Sequence, residues 1–483
     1  MVKIMKKIGL KTLLLAITFC FTSTVAFAEN GYEIKVKITD YDRDTLFLAY
    51  HIMDKVMLRD TAILDKKSGF FIFKGDKNLE SGVYMLVIPP ATLHLEMTIC
   101  DTEQHFTIVT QKDEPHKKVD LKNSIDNDIF FKYVNFMGEK NQAATAARTL
   151  IKTDSAAAVQ QFQILDKEVK TYQKTLITKH PKTVAAMVVK STMDVEQPVW
   201  DAKMDKNERD YAAYYFAKQH YFDNVEMGNP ALLRTSVLFP KVDYYIEKMT
   251  PQYPDSIIAS LDRVLGLMRP NKETSHNYFL YYFNKYLQSQ FVGYDAIWVH
   301  LTKKYLEMGL CRDLISVKDS ARLVEKANKL FPTLIGQKAP DFPIYQKDGL
   351  PSQMHDIKAK YTILYFYRTD CGHCNKQSPV LVEFYRKTKA KNRDVKVVTF
   401  CTRMGEDAAD CWKYVKEKGF DEFINNAHPS FTARALSVYN VELTPAIFVL
   451  DENKTIRMKN IGAEQLEDVL DRLILEDAEK SKK

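Results

Sequence analysis

The sequence predicts a multidomain protein with a small antiparallel β-sandwich, an all-α middle domain and a C-terminal α/β domain. Apolar residues first alternate with polar ones, as in half-buried strands, and then recur every three or four positions, as on one face of a helix. Near the end, strand-like and helix-like segments alternate. At 483 residues the chain has room for about three domains.

The N-terminus predicts a signal peptide over residues 1–28. Four lysines precede the short apolar run LLLAITFCF, and an Ala-Phe-Ala cleavage signal follows. The run is too short to cross a bilayer as a helix. The bulky Phe19 before Cys20 argues against a lipoprotein signal. We therefore expect a periplasmic or cell-envelope protein that is exported with a cleaved signal peptide.

Residues 30–110 predict the β-sandwich. Ile34, Val36 and Ile38 alternate with charged residues and would share one face of a strand. The runs TLFLAY, GFFIFKG and GVYMLVI are rich in the aromatic and β-branched residues that strands favour. Residues 111–123 are charged, contain a proline and lack periodicity, which predicts a linker.

Residues 124–332 predict the all-α domain. Behind a candidate cap at Asp154 lies an apolar stripe at helical spacing, made of Val159, Phe162, Leu165, Val169, Tyr172 and Leu176. Two further helices are expected, one from Tyr294 to about Leu310 and one from Ser320, and Pro332 ends the second because proline cannot continue a helix.

Composition and charge exclude several function classes. The formal net charge is +7, and removing the four signal-peptide lysines from +7 leaves +3, which is too weak for a nucleic-acid partner. The histidines lack the spacing of metal ligands, so no metal site is expected. Seven cysteines are too few for a disulfide scaffold in a chain of this size, so each is weighed singly.

Residues 334–477 predict the α/β domain, and they contain a C-x-x-C motif. Cys371 and Cys374 follow the strand-like run KYTILYFY and open a helix-like segment. Sites in α/β sheets form beyond the carboxyl ends of strands, and a helix N-terminus stabilises a thiolate. Cys371 is therefore the candidate nucleophile and Cys374 the resolving thiol. His373, between them, would add positive charge.

This segment resembles the thioredoxin superfamily, in particular the envelope redoxins. CGHC is similar to the active site of protein disulfide isomerase, GQKAPDF to the redoxin entry, and IGAEQLEDVL to the final thioredoxin helix. The resemblance implies that Pro379 kinks the active-site helix and that Thr444-Pro445 is a cis-proline loop beside which an extended client docks. The whole arrangement also resembles modular envelope redoxins whose N-terminal β domain and helical domain have no assigned activity.

Two positions depart from the family pattern. Tyr365 stands where thioredoxins carry a buried aspartate that helps to deprotonate the resolving cysteine. Proton handling at Cys374 therefore falls to another group or to water. Asp370 replaces the tryptophan before the motif, and its charge would disfavour the Cys371 thiolate and oppose His373. These departures leave the redox potential open.

The other cysteines have several interpretations. Cys401 ends the strand-like run VKVVTF, and Cys411 follows ten residues later. They could form a structural disulfide, remain separate packed thiols, or act as a redox relay with the main pair. Cys100 and Cys311 lie in different predicted domains and are expected to be buried small hydrophobes.

Together these features predict an extracytoplasmic thiol–disulfide oxidoreductase. Its partners would be disulfide-containing client proteins and a membrane electron donor, and its only redox group would be its own Cys371–Cys374 disulfide, without a cofactor. We favour a reductase. The alternatives are a disulfide oxidase or isomerase, which His373 favours, and a non-enzymatic binding module with an accessory redoxin domain. A peroxidase is disfavoured because Thr369 lies two residues before Cys371, where the peroxiredoxin pattern needs three.

Overall fold

The computed structural model describes residues 31–89, 93–309, 311–345, 351–402, 408–427 and 429–482. The predicted signal peptide lies outside these residues. The chain forms two compact units, one ending at Lys241 and the other beginning at Val242. Helices of the predicted middle domain occur in both units, and the predicted domain boundaries remain predictions.

The described part of the first unit begins with an eight-stranded sheet of order β6-β5-β2-β3-β4-β1-β7-β8. The strands are β1 (Tyr32–Thr39), β2 (Thr45–Ile52), β3 (Lys55–Asp65), β4 (Phe70–Gly75), β5 (Gly82–Ile88), β6 (Leu93–Ile99), β7 (His105–Gln111) and β8 (Asp120–Lys122). As predicted, Ile34, Val36 and Ile38 are all buried, because alternate side chains of β1 point to one face.

Two features of this sheet differ from the prediction. β1 and β7 run parallel, whereas an antiparallel sandwich was expected. Five strands separate them along the chain, so no hairpin turn forces the antiparallel direction. β8 lies inside the predicted linker. Its residues Asp120–Lys122 pair with Val109, Ile108 and Thr107 of β7. The sandwich description itself remains a prediction.

Helices follow the sheet in the first unit. They are α1 (Ile125–Leu150), α2 (Ser155–Lys179), α3 (Val184–Thr192), α4 (Lys206–His220) and α5 (Pro230–Leu233). Asp154 caps α2, since its carboxylate accepts a hydrogen bond of 2.9 Å from the Ala157 amide. Leu165 and Leu176 of the predicted stripe are buried, but Val159 is exposed, because the covered face of α2 is narrower than the stripe.

The second unit starts with helices. α6 (Leu238–Glu247) crosses the division, and α7 (Pro254–Met268), α8 (Lys272–Leu287), α9 (Asp295–Leu301) and α10 (Val317–Leu330) follow, with a π-helical turn from Thr302 to Glu307 extending α9. The helices expected from Tyr294 and Ser320 correspond to α9 and α10. No helix among the described residues is long and apolar enough to cross a bilayer.

Asp262 of α7 joins this helix to the segment around α9. Its carboxylate lies 3.0 Å from His300 Nε2 and accepts a hydrogen bond of 3.0 Å from the Tyr305 hydroxyl. Burial alone would raise the pKa of Asp262, but hydrogen bonds from His300, Lys304 and Tyr305 outweigh it and lower the pKa to about 2. The carboxylate is therefore charged at neutral pH and holds these helices together.

The C-terminal part forms a five-stranded sheet of order β13-β12-β11-β14-β15. A short ribbon of β9 (Pro343–Tyr345) and β10 (Pro351–Gln353) precedes it. The remaining elements are β11 (Tyr361–Tyr367), α11 (Gly372–Ala390), β12 (Val395–Cys401), α12 (Ala409–Lys418), β13 (Ile424–Asn426), α13 (Pro429–Val438), β14 (Ala446–Asp451), β15 (Ile456–Lys459) and α14 (Leu466–Lys480). β11 pairs parallel with β12 and antiparallel with β14.

Both faces of this sheet are covered. One apolar cluster takes Ile363 and Tyr365 of β11 together with residues of α11, α12 and α14. The other takes Leu364 and Phe366 together with residues of β9 and α13. Because successive side chains of β11 enter opposite clusters, all of its residues are buried. The central strand therefore gives the loop that follows it a rigid base.

Candidate active site

Cys371 lies in the loop between the end of β11 and the start of α11. It is the N-cap residue of α11, and its sulfur accepts a hydrogen bond of 3.1 Å from the Cys374 amide. Unpaired amides and the positive end of the helix dipole meet at this position. The helix therefore stabilises a thiolate at Cys371, as expected from the spacing of the motif.

The two cysteines of the motif differ in exposure. Cys374 is 0% exposed, whereas Cys371 is partly exposed. They form a disulfide with their Cα atoms 5.2 Å apart. Because only Cys371 reaches the surface, it is the sulfur that a second molecule can contact. Cys374 is placed to react with Cys371 from below.

The Thr444-Pro445 loop lies against the Cys371 sulfur. Its peptide bond is cis, as the resemblance implied, and the Thr444 carbonyl oxygen lies 3.5 Å from Cys371 Sγ. Proline has no backbone N–H, so the residue after Thr444 offers no amide donor to the sulfurs. Thr444 and Pro445, both partly exposed, thus lie beside Cys371 immediately before β14.

Two titratable residues lie at the motif, His373 within it and Asp370 directly before it. His373 is exposed in the first turn of α11. Asp370 makes a two-point ion pair with Arg368, whose Nε and Nη2 atoms lie 2.9 and 2.6 Å from its carboxylate oxygens. The guanidinium offsets the carboxylate charge, so Asp370 opposes the Cys371 thiolate less than the sequence suggests. Arg368 is not predicted from the sequence, although it lies only two residues away.

A chain of buried hydroxyl groups lies beneath Cys374. The Tyr365 hydroxyl donates a hydrogen bond of 3.3 Å to the Cys374 carbonyl oxygen and lies 3.2 Å from Ser378 Oγ. Ser378 Oγ in turn lies 2.9 Å from the Tyr414 hydroxyl. Burial raises the pKa of Tyr365 above its ordinary value, so this side chain is neutral where thioredoxins carry a carboxylate.

Ser378 and Tyr414 are not predicted as site residues from the sequence. Ser378 follows Cys374 by four positions in a helical segment, which places the two on the same face, and this spacing is a usable signal. Tyr414 belongs to α12, and only the packing of α12 on the sheet brings it to Ser378. Pro379 lies inside α11, where the resemblance placed it.

Cys401 and Cys411 form a second disulfide in the structure. Cys401 ends β12, Cys411 lies in α12, and their Cα atoms are 6.0 Å apart. Both residues are buried and belong to the same apolar cluster as Cys374. The bond speaks against separate packed thiols, and burial keeps both sulfurs from a client. The structural disulfide and the redox relay with the main pair both stay predictions.

Two further cysteines of the described residues, Cys100 and Cys311, are free thiols. Cys311 is buried, as expected. Cys100 is only partly buried, because it lies at a turn that it closes with Glu103. Burial raises the pKa of both thiols, which disfavours reactivity. No group of three or more candidate metal ligands occurs among the residues that the structure describes.

Comparison with known proteins gives the family of this domain. Residues 335–459 match the model of the AhpC/TSA family. Over 142 residues the chain is 28% identical to the thiol-disulfide oxidoreductase ResA of Bacillus cereus, a match that spans 29% of this chain and 78% of that protein. The C-terminal domain is a redoxin of the thioredoxin superfamily.

Two further proteins are similar to this redoxin-containing chain. The thioredoxin-like protein YneN of Bacillus subtilis is 25% identical over 127 residues, which are 26% of this chain and 71% of that protein. A crystal structure of a thioredoxin-like protein from Bacteroides caccae aligns with 58% of this chain and 99% of its own, at 17% identity and a TM-score of 0.41. The predicted superfamily and the class of enzyme, a thiol–disulfide oxidoreductase, are confirmed.

Proposed function

We propose that this protein is an extracytoplasmic reductase of protein disulfides. The observation that carries the proposal is the pairing of a partly exposed Cys371 at a helix N-terminus with a fully buried Cys374. This arrangement separates an attacking sulfur from a resolving sulfur. The predicted signal peptide supports an extracytoplasmic location, and the similarity to the oxidoreductase ResA supports a disulfide substrate.

The reaction starts from the reduced pair. The Cys371 thiolate attacks one sulfur of a client disulfide, the client S–S bond breaks, and its other sulfur leaves as a thiolate that takes up a proton. Cys374 loses its proton and attacks Cys371 Sγ, which forms the Cys371–Cys374 disulfide and releases the second client thiol. Two electrons pass to the client, and the protein becomes oxidised.

Several groups of this chain assist these steps. The amides at the start of α11 stabilise the Cys371 thiolate. Backbone groups of the partly exposed Thr444 can hydrogen-bond an extended client segment as a neighbouring strand would. The neutral Tyr365 hydroxyl contacts the Cys374 backbone carbonyl oxygen and Ser378 Oγ, and we propose that it assists proton transfer from the Cys374 thiol.

Each turnover leaves the protein oxidised, so a dithiol donor must reduce it again. In an exported protein this donor would be a membrane partner, since the compartment lacks a cytosolic thiol buffer. The proposal needs no metal and no bound cofactor, because the disulfide itself carries both electrons.

The direction of electron flow is tested by the reduction potential of the Cys371–Cys374 couple. The purified mature chain is equilibrated with glutathione and dithiothreitol buffers, and the oxidised fraction is measured by thiol labelling. A potential near thioredoxin's, about −270 mV, supports a reductase, and one near about −120 mV supports the oxidase alternative, which His373 favours. Disulfide rearrangement without net reduction would instead indicate an isomerase.

The AhpC/TSA match makes a peroxidase the second candidate. Hydrogen peroxide consumption by the pre-reduced chain separates the two activities. We expect consumption at the background rate while reduction of insulin disulfides proceeds. Rapid peroxide turnover that is lost in Cys371→Ser would favour the peroxidase.

A further inference from the structure

A cleft of about 670 Å³ lies beside the redox pair within the second unit. One wall comes from the helical segment and includes Phe291 and Trp298. The other comes from the redoxin and includes His373, Leu443 and Pro445. The volume falls within the range of about 300–1,000 Å³ that is typical of ligand sites. The residues after α8 are thus brought to the edge of the active site.

Both rims of this cleft carry exposed apolar side chains. On the helical rim, Phe291 is 73% exposed, and Leu287 and Val292 are also exposed. On the redoxin rim, Leu443 is 83% exposed and directly precedes Thr444. A group of large apolar residues left in water beside a reactive sulfur marks a binding surface rather than scattered exposure.

A buried ion pair holds the two walls together. Lys459 at the end of β15 pairs with Asp295 at the start of α9. The Lys459 side chain is almost completely buried, and a buried charge without its partner is strongly unfavourable. The helical wall is therefore anchored to the redoxin sheet, and the cleft exists before any ligand enters.

Polar atoms in the helical wall point to the kind of ligand. Trp298 is buried, and its indole N–H has no hydrogen-bond partner among the described residues; the same holds for one carboxylate oxygen of Asp295. Both residues line the cleft. Both atoms are buried within the wall; a ligand that reached them would need an acceptor for the indole N–H and a donor for the carboxylate oxygen, and a polypeptide backbone carries both.

We propose that the helical wall is a client-binding element, and that the cleft holds an extended polypeptide segment flanking the client disulfide. An apolar client side chain packs on Phe291 and Leu443 while the segment passes Thr444 on its way to Cys371. This inference rests on the proposed function and adds that the helical segment selects polypeptide disulfides over small ones. A disulfide without a flanking chain cannot reach the helical wall.

The test compares two disulfides with the pre-reduced full mature chain. Rates of oxidation are measured with insulin, whose disulfides lie in polypeptide segments, and with oxidised glutathione, and their ratio is taken. For Phe291→Ala we expect the ratio of insulin rate to glutathione rate to fall about fivefold, the loss typical of a contributing interface side chain. Val292→Ser, on the same rim, should lower the ratio in the same direction.

Leu475→Ala is the matched control. Leu475 is an exposed apolar residue of α14 that does not line the cleft, so the ratio should stay at the wild-type value. A wild-type ratio in both Phe291→Ala and Val292→Ser overturns this inference alone. Failure of the wild-type chain to reduce either disulfide overturns the proposed function, and this inference with it.

Discussion

The two disulfides of the redoxin are chemically alike but differ in how exposed their sulfurs are. Cys371–Cys374 spans the first turn of α11 and leaves one sulfur partly exposed at a helix N-terminus. Cys401–Cys411 ties β12 to α12 with both sulfurs buried in the core. A cysteine reacts as a thiolate where a positive electrostatic potential stabilises the negative charge and where a second molecule can reach the sulfur. We therefore expect reactivity in this domain to follow the position of a cysteine rather than its residue type.

The comparison also shows how closely the two pairs are packed. Cys374, Cys401 and Cys411 belong to one buried cluster, and Tyr414 lies in α12 three residues after Cys411. The second disulfide thus braces the helix that supplies the last hydroxyl of the Tyr365 chain. The second disulfide and the pair that is predicted to react share one core.

The largest expected effect concerns the reactive pair. Cys371→Ser should reduce insulin disulfides only at the background rate, because a hydroxyl is a far weaker nucleophile than a thiolate. Cys374→Ser should instead accumulate mixed disulfides with the client, since the resolving sulfur is gone. Adducts are counted on non-reducing gels and by mass spectrometry. Trapping by Cys371→Ser and not by Cys374→Ser would reverse the roles of the two sulfurs.

Removing the core disulfide should affect stability and spare activity. The Cys401→Ala/Cys411→Ala double variant is expected to unfold about 2–3 kcal/mol more easily, since the bond closes a short loop of sequence separation 10. The free energy of unfolding is measured in denaturant, with the wild-type chain in dithiothreitol as the control. Loss of insulin reduction at unchanged stability would mean that the second disulfide also takes part in the reaction, and would favour the redox relay.

The hydroxyl chain beneath Cys374 gives a smaller effect. Tyr365→Phe leaves the Cys374 carbonyl without this donor, which should lower the free energy of unfolding by about 1 kcal/mol. Tyr414→Phe, at the other end of the chain, is the matched variant. If Tyr365→Phe also shifts the pH profile of mixed-disulfide resolution while Tyr414→Phe does not, Tyr365 takes part in proton transfer.

The smallest expected effect is on the redox potential. His373→Pro should make the couple more reducing, because loss of the imidazole removes charge stabilisation of the Cys371 thiolate. An effect of about 1 kcal/mol corresponds to roughly 20 mV for two electrons. Asp370→Asn is the comparison variant and should shift the potential less, in the opposite sense, since Arg368 already offsets its charge. An unchanged or more oxidising potential in His373→Pro would mean that a feature other than His373 sets the reduction potential of the pair.

Much of the site can be predicted from short stretches of sequence. Three features depend only on residues that are close in the chain. They are the position of Cys371 after a buried strand, the proline of the Thr444-Pro445 loop and the Asp154 cap. Strand alternation and helical spacing are also local properties, because they follow from backbone geometry. The C-x-x-C motif and its chemistry are therefore visible without a structure.

Other features depend on residues that are distant in sequence. The parallel pairing of β1 with β7, the strand in the predicted linker and the contact between Ser378 and Tyr414 have no local signal. Which residues become partners depends on how the chain reverses direction and how its elements pack. The sequence pattern near each residue is compatible with many different partners.

By itself, the sequence determined which sulfurs are predicted to react and which fold carries them, because helix caps, strand runs and turn residues act over a few positions. The tertiary structure decided what surrounds those sulfurs. Lys459 meets Asp295 across 164 residues of chain, and this pairing places an aromatic helical wall beside the cis-proline loop. Such a contact forms only when folding has offset the entropy of closing so long a loop, so its partners can be recognised only in the folded molecule.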